Sequence, residues 1–123
     1  MSNMEREFVL HTHSGYGPLH WDLMLEHGEA LATWQLAASP ARLPPGGSMP
    51  AKRLPDHRRE YLSYEGPVSG GRGRVDRIDQ GRYELLAADE GLWSVVLKGT
   101  VLKGRYDLRR TGPAEEDWTL TRF

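Results

Sequence analysis

The stretch from Leu19 to Glu26 constrains the fold most, because apolar side chains recur at every second position. In an extended strand, successive side chains point to opposite faces. One face then carries Leu19, Trp21, Leu23 and Leu25, and the other carries His20, Asp22, Met24 and Glu26. The pattern therefore predicts a β-strand with one apolar face and one mostly polar face.

Short strand-like runs of this kind recur along the chain between glycines and prolines. They cover residues 7–13, 30–36, 74–78, 82–87, 92–97, 101–110 and 118–123. Residues 37–55 hold five prolines and predict a long Pro/Gly-rich loop. Residues 58–64 fit either a helical turn or a strand. About eight short strands without a long helical period indicate an antiparallel barrel or a sandwich.

The polar face of the 19–26 strand favours the barrel. In a sandwich this face would look to solvent, whereas in an eight-stranded barrel it could line a lumen that holds a small ligand or a cation. We therefore expect a mainly β fold: a compact closed antiparallel barrel of about eight strands with a polar lumen. The apolar face would then need cover from loops or a helix that the sequence does not identify.

Composition limits the class of protein. A chain of 123 residues suits one domain, which we place at residues 1–123. The absence of cysteine excludes disulfides and thiol nucleophiles and fits a reducing compartment. Met1–Phe8 lacks the apolar stretch of a signal peptide, and no run approaches the roughly 20 apolar residues of a membrane span. We expect a cytoplasmic protein with no membrane partner.

The charge is nearly balanced but unevenly placed. A formal net charge of −1 gives no overall attraction to nucleic acid. Eleven of the 16 basic residues nevertheless fall in three clusters, at 52–59, 72–77 and 103–110. These clusters could form one basic face that binds phosphates, or they could be solvated side chains beside acidic neighbours. The sequence leaves both interpretations open.

A candidate metal site lies in the first two strands. His20 and Asp22 share a face, and His13 can reach them across the turn at 14–18. Two histidines and one carboxylate with open positions suit Mn, Fe or Zn. His11 shares a face with His13, so it could orient a ligand or replace His13 as the third one. The competing interpretation is an ordinary polar strand end.

A second constellation follows at His57 and Tyr61, which share a face in either a helix or a strand. An imidazole, a phenol and the nearby Arg53 suit an anionic tetrahedral centre. His57 could protonate a leaving oxygen, and Arg53 could neutralise charge. The competing interpretation is a capped turn with Tyr61 packed on the core. The glycine-rich segment around Arg72 could bind phosphate through backbone N–H groups, but it lacks the other features of a P-loop.

Several of these segments together resemble the 3′-phosphoesterase domain of bacterial DNA ligase D. The matching segments are 8–13, 19–26, Trp34, 56–61, 64–67, 97–110 and 118–120. Their order along nearly the whole chain is more specific than any single motif. The resemblance implies a compact β-barrel and a Mn²⁺-dependent enzyme that removes 3′-phosphates and 3′-terminal ribonucleotides in DNA repair by non-homologous end joining.

The resemblance also assigns residues and partners. By position, His13, His20 and Asp22 match the metal ligands, and His57 and Tyr61 match the residues that contact the scissile phosphate. Mn²⁺ is the expected cofactor, with Zn²⁺ or Co²⁺ as alternatives. The expected partners are DNA 3′ ends or a primer–template, together with a separate ligase, polymerase or end-binding repair protein. A monomer is expected.

Three departures separate this chain from the family pattern. Six residues lie between His13 and His20, one more than the pattern implies. Met24 stands where the pattern has an arginine, and Ala38 or a near neighbour stands where it has a lysine. Arg53 and Arg72 are the candidates to supply the missing positive charge to phosphate. The alternative function is a weakened or inactive module of the same fold that binds nucleic acid or phosphate. A third interpretation, an esterase for small phosphorylated metabolites, rests on the near-neutral charge alone.

Overall fold

The computed structural model describes residues 5–123, and β-strands dominate this part of the chain. The nine strands found there are β1 (Glu5–Ser14), β2 (His20–His27), β3 (Ala30–Leu36), β4 (Ser48–Arg58), β5 (Gly66–Pro67), β6 (Arg74–Ala88), β7 (Leu92–Gly99), β8 (Lys103–Arg110) and β9 (Asp117–Arg122). Short 3₁₀ helices cover Pro40–Arg42, Arg59–Leu62 and Ser69–Gly71. The interpretation of the N-terminus as lacking a signal peptide falls largely on residues 1–4, which lie outside the described residues.

Eight strands close into an antiparallel barrel. The order around it is β1-β2-β3-β4-β9-β8-β7-β6, and the β1–β6 pairing closes the sheet. The short strand β5 pairs with β6 outside the barrel. The predicted closed barrel is therefore confirmed, and the sandwich is not formed. Across residues 5–123, no helix is both long and apolar enough to cross a membrane.

The interior of the barrel is apolar, so the predicted polar lumen is wrong. Its core cluster draws side chains from all eight barrel strands, and these include Leu10, Leu23, Trp34, Ala51, Tyr83, Val95, Leu108 and Leu120. The interior of an eight-stranded barrel is just wide enough for side chains to fill it. When the apolar face of β2 points inward, far more apolar surface is removed from water than when its polar face does. The polar face of β2 consequently lies on the outside of the barrel.

Strand β4 lies where the sequence predicted a loop. Its first part pairs with β9 and its last part with β3. Most of the strand is therefore hydrogen-bonded to a neighbouring strand on one side only. Pro50 lies in the part paired with β9, and Pro55 lies in a bulge where the pairing shifts from Leu31–His57 to Thr33–Leu54. Both prolines therefore avoid the positions where a missing N–H would break the sheet.

Strand β6 joins two strands that were predicted separately, at 74–78 and 82–87. Gly81 falls in the gap between those two predicted strands, but it lies within β6, opposite Gly99 of β7. A Cβ atom at this position would come within 2.3 Å of the Lys98 carbonyl oxygen. Gly81 therefore permits a close backbone approach. The ambiguous segment at 58–64 forms a 3₁₀ turn rather than a strand.

Candidate metal centre and phosphate cavity

The three predicted metal ligands meet on the outer face of the barrel. The antiparallel register places His13 of β1 directly opposite His20 of β2, with their ring centroids 4.8 Å apart. Asp22 follows on the same face of β2, and its Oδ2 atom is 3.4 Å from Nε2 of His20. One ligand atom from each of the three residues lies within 4.8 Å of the others. This spacing suits contraction around a single ion.

Backbone carbonyls fix the orientation of both imidazole rings. Nε2 of His13 donates to the carbonyl oxygen of Arg72 at 2.6 Å, and Nδ1 of His20 donates to that of Pro18 at 3.3 Å. This leaves Nδ1 of His13 and Nε2 of His20 as the nitrogen atoms that could bind a metal ion. Hydrogen bonds of this kind orient histidine ligands behind many metal sites.

The Asp22 carboxylate is buried in a way that calls for a cation. The residue is 4% exposed, and its Oδ1 atom has no hydrogen-bond partner among residues 5–123. Burial raises the pKa of Asp22, while the neighbouring His20 acts in the opposite direction. A buried carboxylate with an unsatisfied oxygen is costly unless a charge compensates it. The donor set of two imidazoles and this carboxylate fits a divalent ion such as Mn²⁺.

A cavity of about 180 Å³ adjoins these ligands. Its lining combines residues of β1, β2, β4 and β6 with side chains from the connections around them, namely His11, His13, Tyr16, Asp22, Met24, His57, Tyr61, Val68, Arg72 and Val75. The cavity thus unites His57, Tyr61 and Arg72 with two of the three metal-ligand candidates. These residues lie far apart in sequence, so the barrel closure is what brings them together.

The polar side chains on the other wall of the cavity are also held in place. Nδ1 of His57 donates to the Pro55 carbonyl at 3.0 Å, which leaves Nε2 free, and the ring meets Tyr61 edge-on at 6.0 Å. Arg72 donates from Nε to the Ser69 carbonyl at 2.7 Å and from Nη2 to the Ser69 hydroxyl at 3.1 Å. This anchoring leaves Arg72 as a cation on the cavity wall.

Arg53, the other arginine predicted to bind phosphate, is not brought into this cavity. It pairs with Trp34 across β3 and β4, and its guanidinium carbon lies 4.4 Å from the centroid of the Trp34 ring. Trp93 and Trp118 surround the same group at 5.7 and 5.4 Å. The bulge at Pro55 accounts for this placement, because an extra residue puts Arg53 and His57 on opposite faces despite their even spacing.

Two residues of uncertain role in the sequence now have definite positions. His11 pairs with Asp22, is 1% exposed, and has an Nε2 atom without a hydrogen-bond partner in the described chain. Burial is the main cause that lowers its pKa to about 4, so the ring is neutral near pH 7. Met24 packs with Val9 and Leu31 beneath Tyr61. The position of the expected arginine therefore forms an apolar floor, while Ala38 is exposed outside the cavity lining.

Sequence reasoning missed Tyr16 as part of the site. Its ring lies at the cavity and nearly parallel to that of His13, with the centroids 6.4 Å apart. The signal was present in the turn, where Tyr16 is flanked by Gly15 and Gly17. An aromatic residue held between two glycines beside a metal-ligand candidate is a pattern that could have identified it.

The comparison with protein families gives one match. The sequence model of the family described as "DNA Ligase D 3'-phosphoesterase domain" matches residues 10–110, which is most of the chain. This range contains every residue that lines the cavity. No curated protein matches the chain.

Proposed function

This chain belongs to the DNA ligase D 3′-phosphoesterase domain family, and we propose that it is a Mn²⁺-dependent phosphoesterase acting on the 3′ ends of DNA during repair. Family membership supports a hydrolase of phosphate esters at 3′ ends. The finer proposal is that the protein removes a 3′-phosphate or a 3′-terminal ribonucleotide and leaves a 3′-hydroxyl.

The observation that carries this proposal is the convergence of three kinds of group at one cavity. Candidate metal ligands (His13 and Asp22), a histidine–tyrosine pair (His57 and Tyr61) and a cation (Arg72) all line it. A phosphoryl group needs charge neutralisation, oriented hydrogen-bond donors and a proton source for the leaving oxygen. The residues that line the cavity include candidates for all three.

We assign the metal to His13, His20 and Asp22. When bound there, a divalent ion supplies Lewis acidity and positive charge beside a phosphoryl oxygen. A site with two imidazoles and one carboxylate favours Mn²⁺, Zn²⁺ or Co²⁺ over ions that prefer oxygen ligands alone.

The protein's own side chains supply the remaining functions in this proposal. His57 presents Nε2 to the cavity, where its protonated form can donate to the leaving oxygen. The Tyr61 hydroxyl can hydrogen-bond a phosphoryl oxygen and position it. Arg72, held by Ser69, neutralises part of the phosphate charge and replaces one of the cations that the family pattern would place elsewhere.

We also propose a cellular setting. A 3′-hydroxyl is what a polymerase extends and what a ligase joins, so a separate polymerase, ligase or end-binding repair protein is the expected partner. A cytoplasmic location accords with a sequence that contains no cysteine.

Met24 favours a second candidate function, a binding module of the same fold. It is 1% exposed and places an apolar side chain on the floor of the cavity, where the family pattern has a cation. Loss of one preorganised charge or donor can reduce a rate by about 10²–10³. Such a module would bind 3′ ends without forming product.

A 3′-end conversion assay separates the two functions. The substrate is a labelled primer–template that ends in a 3′-phosphate or a single 3′-ribonucleotide, tested with Mn²⁺, Mg²⁺, Zn²⁺, Co²⁺ or a chelator. We expect Mn²⁺-dependent conversion that His57→Ala slows by about 10²–10⁴. His27→Ala is the matched control, because His27 is exposed at the far end of β2.

Binding without conversion by folded, metal-loaded protein would overturn the phosphoesterase and establish the binding module. Conversion that persists in the chelator would overturn the metal-dependent mechanism.

A further inference from the structure

Tyr16 is a large aromatic side chain left in solvent at the mouth of the cavity. It is 56% exposed and also contributes to the cavity lining. A single exposed aromatic residue is unremarkable by itself. Tyr16 differs because it borders the proposed phosphate site and also exposes part of its ring to solvent, where a ligand can reach it.

The turn that carries Tyr16 has a backbone shape that two glycines and a proline define. Gly15 and Gly17 have φ angles of 78° and 71°, in the left-handed region that favours glycine, and Pro18 follows with a restricted φ. The ring lies at 21° to that of His13.

The cavity itself is too small for a whole nucleotide. Its volume of about 180 Å³ lies below the 300–1,000 Å³ typical of pockets that enclose a drug-sized ligand. A phosphate held against His57 and Arg72 would therefore leave its sugar and base outside, along the rim. Tyr16 is the exposed aromatic side chain among the residues that line this cavity.

We propose that Tyr16 is a stacking platform for the nucleobase next to the phosphate held in the cavity. This inference rests on the proposed function and deepens it, since it assigns a base-binding subsite to a 3′-end enzyme. Aromatic stacking accepts every base because each has a π-face, so the subsite gives affinity with little sequence preference.

A neighbouring cavity leaves room for the other side of a phosphodiester. A second cavity of about 330 Å³ adjoins the first through the shared residues Tyr61 and Val68, and its lining includes Arg58 and Tyr64. A 3′-terminal ribonucleotide has nucleosides on both sides of the scissile phosphate. Tyr16 would serve one of them, and the second cavity would accept the other.

The test compares DNA ends with and without the base. Fluorescence anisotropy gives Kd for a labelled primer–template whose last nucleotide carries a non-hydrolysable 3′-phosphonate and is either normal or abasic. Metal-loaded wild type, Tyr16→Ala and Tyr16→Phe are compared. We expect Tyr16→Ala to weaken binding of the normal end about 5- to 30-fold and to leave the abasic end unchanged. Tyr16→Phe should match wild type, because the stacking face remains.

Calorimetry with Mn²⁺ alone checks that Tyr16→Ala leaves the neighbouring His13 site intact, and equal metal affinity is expected. Equal Kd values for wild type and Tyr16→Ala on the normal end would overturn the stacking role. So would an equal loss on both ends, which would mean a general disturbance of the site. If wild type bound neither end, the proposed function would fail as well, so the two failures are distinguishable.

Discussion

At the scale of single residues, Asp22 is the centre of the account. One of its oxygens faces His20 at 3.4 Å, and the other is buried without a hydrogen-bond partner in the described part of the chain. Burial raises its pKa, so the apo protein holds this carboxylate at a cost. A residue that is costly for folding but well placed for a cation is what a functional site is expected to contain.

Asp22→Asn tests this balance. We expect Mn²⁺ affinity to fall by more than about 100-fold, because the charged ligand is lost. The thermal midpoint in chelator should stay the same or rise, because a neutral amide replaces a carboxylate whose pKa burial raises. Calorimetry and thermal unfolding measure the two effects. Retained metal affinity, or a large loss of apo stability, would count against Asp22 as a ligand.

At the scale of elements, β6 and the end of β1 meet closely beside the site. Gly73 precedes β6 with a φ of +80°, and a Cβ atom there would lie 2.1 Å from the carbonyl oxygen of Ser14. Ser14 follows His13, whose ring donates to the carbonyl of Arg72. The glycine-rich segment therefore acts as a spacer that sets the position of His13, the metal-ligand candidate. This spacing role does not depend on the backbone N–H groups of the segment, which the sequence analysis considered as phosphate ligands.

Gly73→Ala should disturb this spacing. We expect a loss of about 1–3 kcal/mol in unfolding free energy and a weaker Mn²⁺ affinity, because the Ser14 backbone must move. Gly71→Ala is the matched control, since Gly71 also has a positive φ but has no atom within 4 Å of its virtual Cβ. Denaturant unfolding and metal titration measure both. Identical metal affinities in the two variants would contradict the spacer role.

Asp79 stabilises the turn between β7 and β8 from a neighbouring strand. Its carboxylate accepts the backbone N–H groups of Thr100, Val101 and Leu102 at 2.9, 3.1 and 2.8 Å. Asp79→Ala should cost about 2–4 kcal/mol of stability, because it leaves buried donors unsatisfied. Asp79→Asn keeps an acceptor and should lose less. A denaturant midpoint of Asp79→Ala equal to that of wild type would show that the carboxylate does not hold the turn.

At the scale of the whole molecule, the barrel separates stability from function. Its apolar interior holds the fold, and the polar face of β2 lies outside, under the segment that carries Tyr61 and Arg72. Tyr83 joins the interior to β2, because its hydroxyl donates to the Glu26 carbonyl at 2.5 Å. The site can therefore change in charge without exposing the core.

Tyr83 predicts how the whole barrel responds to alkali. Burial raises its pKa from 10.0 to about 12. Between these values the unfolded chain binds fewer protons than the folded one, so stability should fall as pH rises from 10 to 12. Tyr83→Phe should be about 1 kcal/mol less stable below pH 10, through the lost hydrogen bond, but less steeply pH-dependent above it. Urea unfolding at a series of pH values measures this dependence. If the unfolding free energies of wild type and Tyr83→Phe fell equally steeply with pH above 10, this assignment would be contradicted.

The sequence predicted the closed barrel and the grouping of His13, His20 and Asp22, because strand alternation determines both. Prediction from the sequence failed where a local irregularity in a strand reverses the alternation of side chains between its two faces. The bulge at Pro55 turned Arg53 inward, and the one-sided pairing of β4 let Pro50 stay in a strand. Alternation also could not say which face of β2 is inside. That choice depends on the apolar surface of all eight strands together.

The most direct test of the central claim joins metal binding to catalysis at one residue. Mn²⁺ titration and conversion of a 3′-phosphate primer are measured for wild type, His20→Ala and His27→Ala. The account predicts one Mn²⁺ per chain and conversion in wild type and His27→Ala, with both lost in His20→Ala while its thermal unfolding stays cooperative. Undiminished conversion by a folded His20→Ala protein would contradict a metal centre at His13, His20 and Asp22.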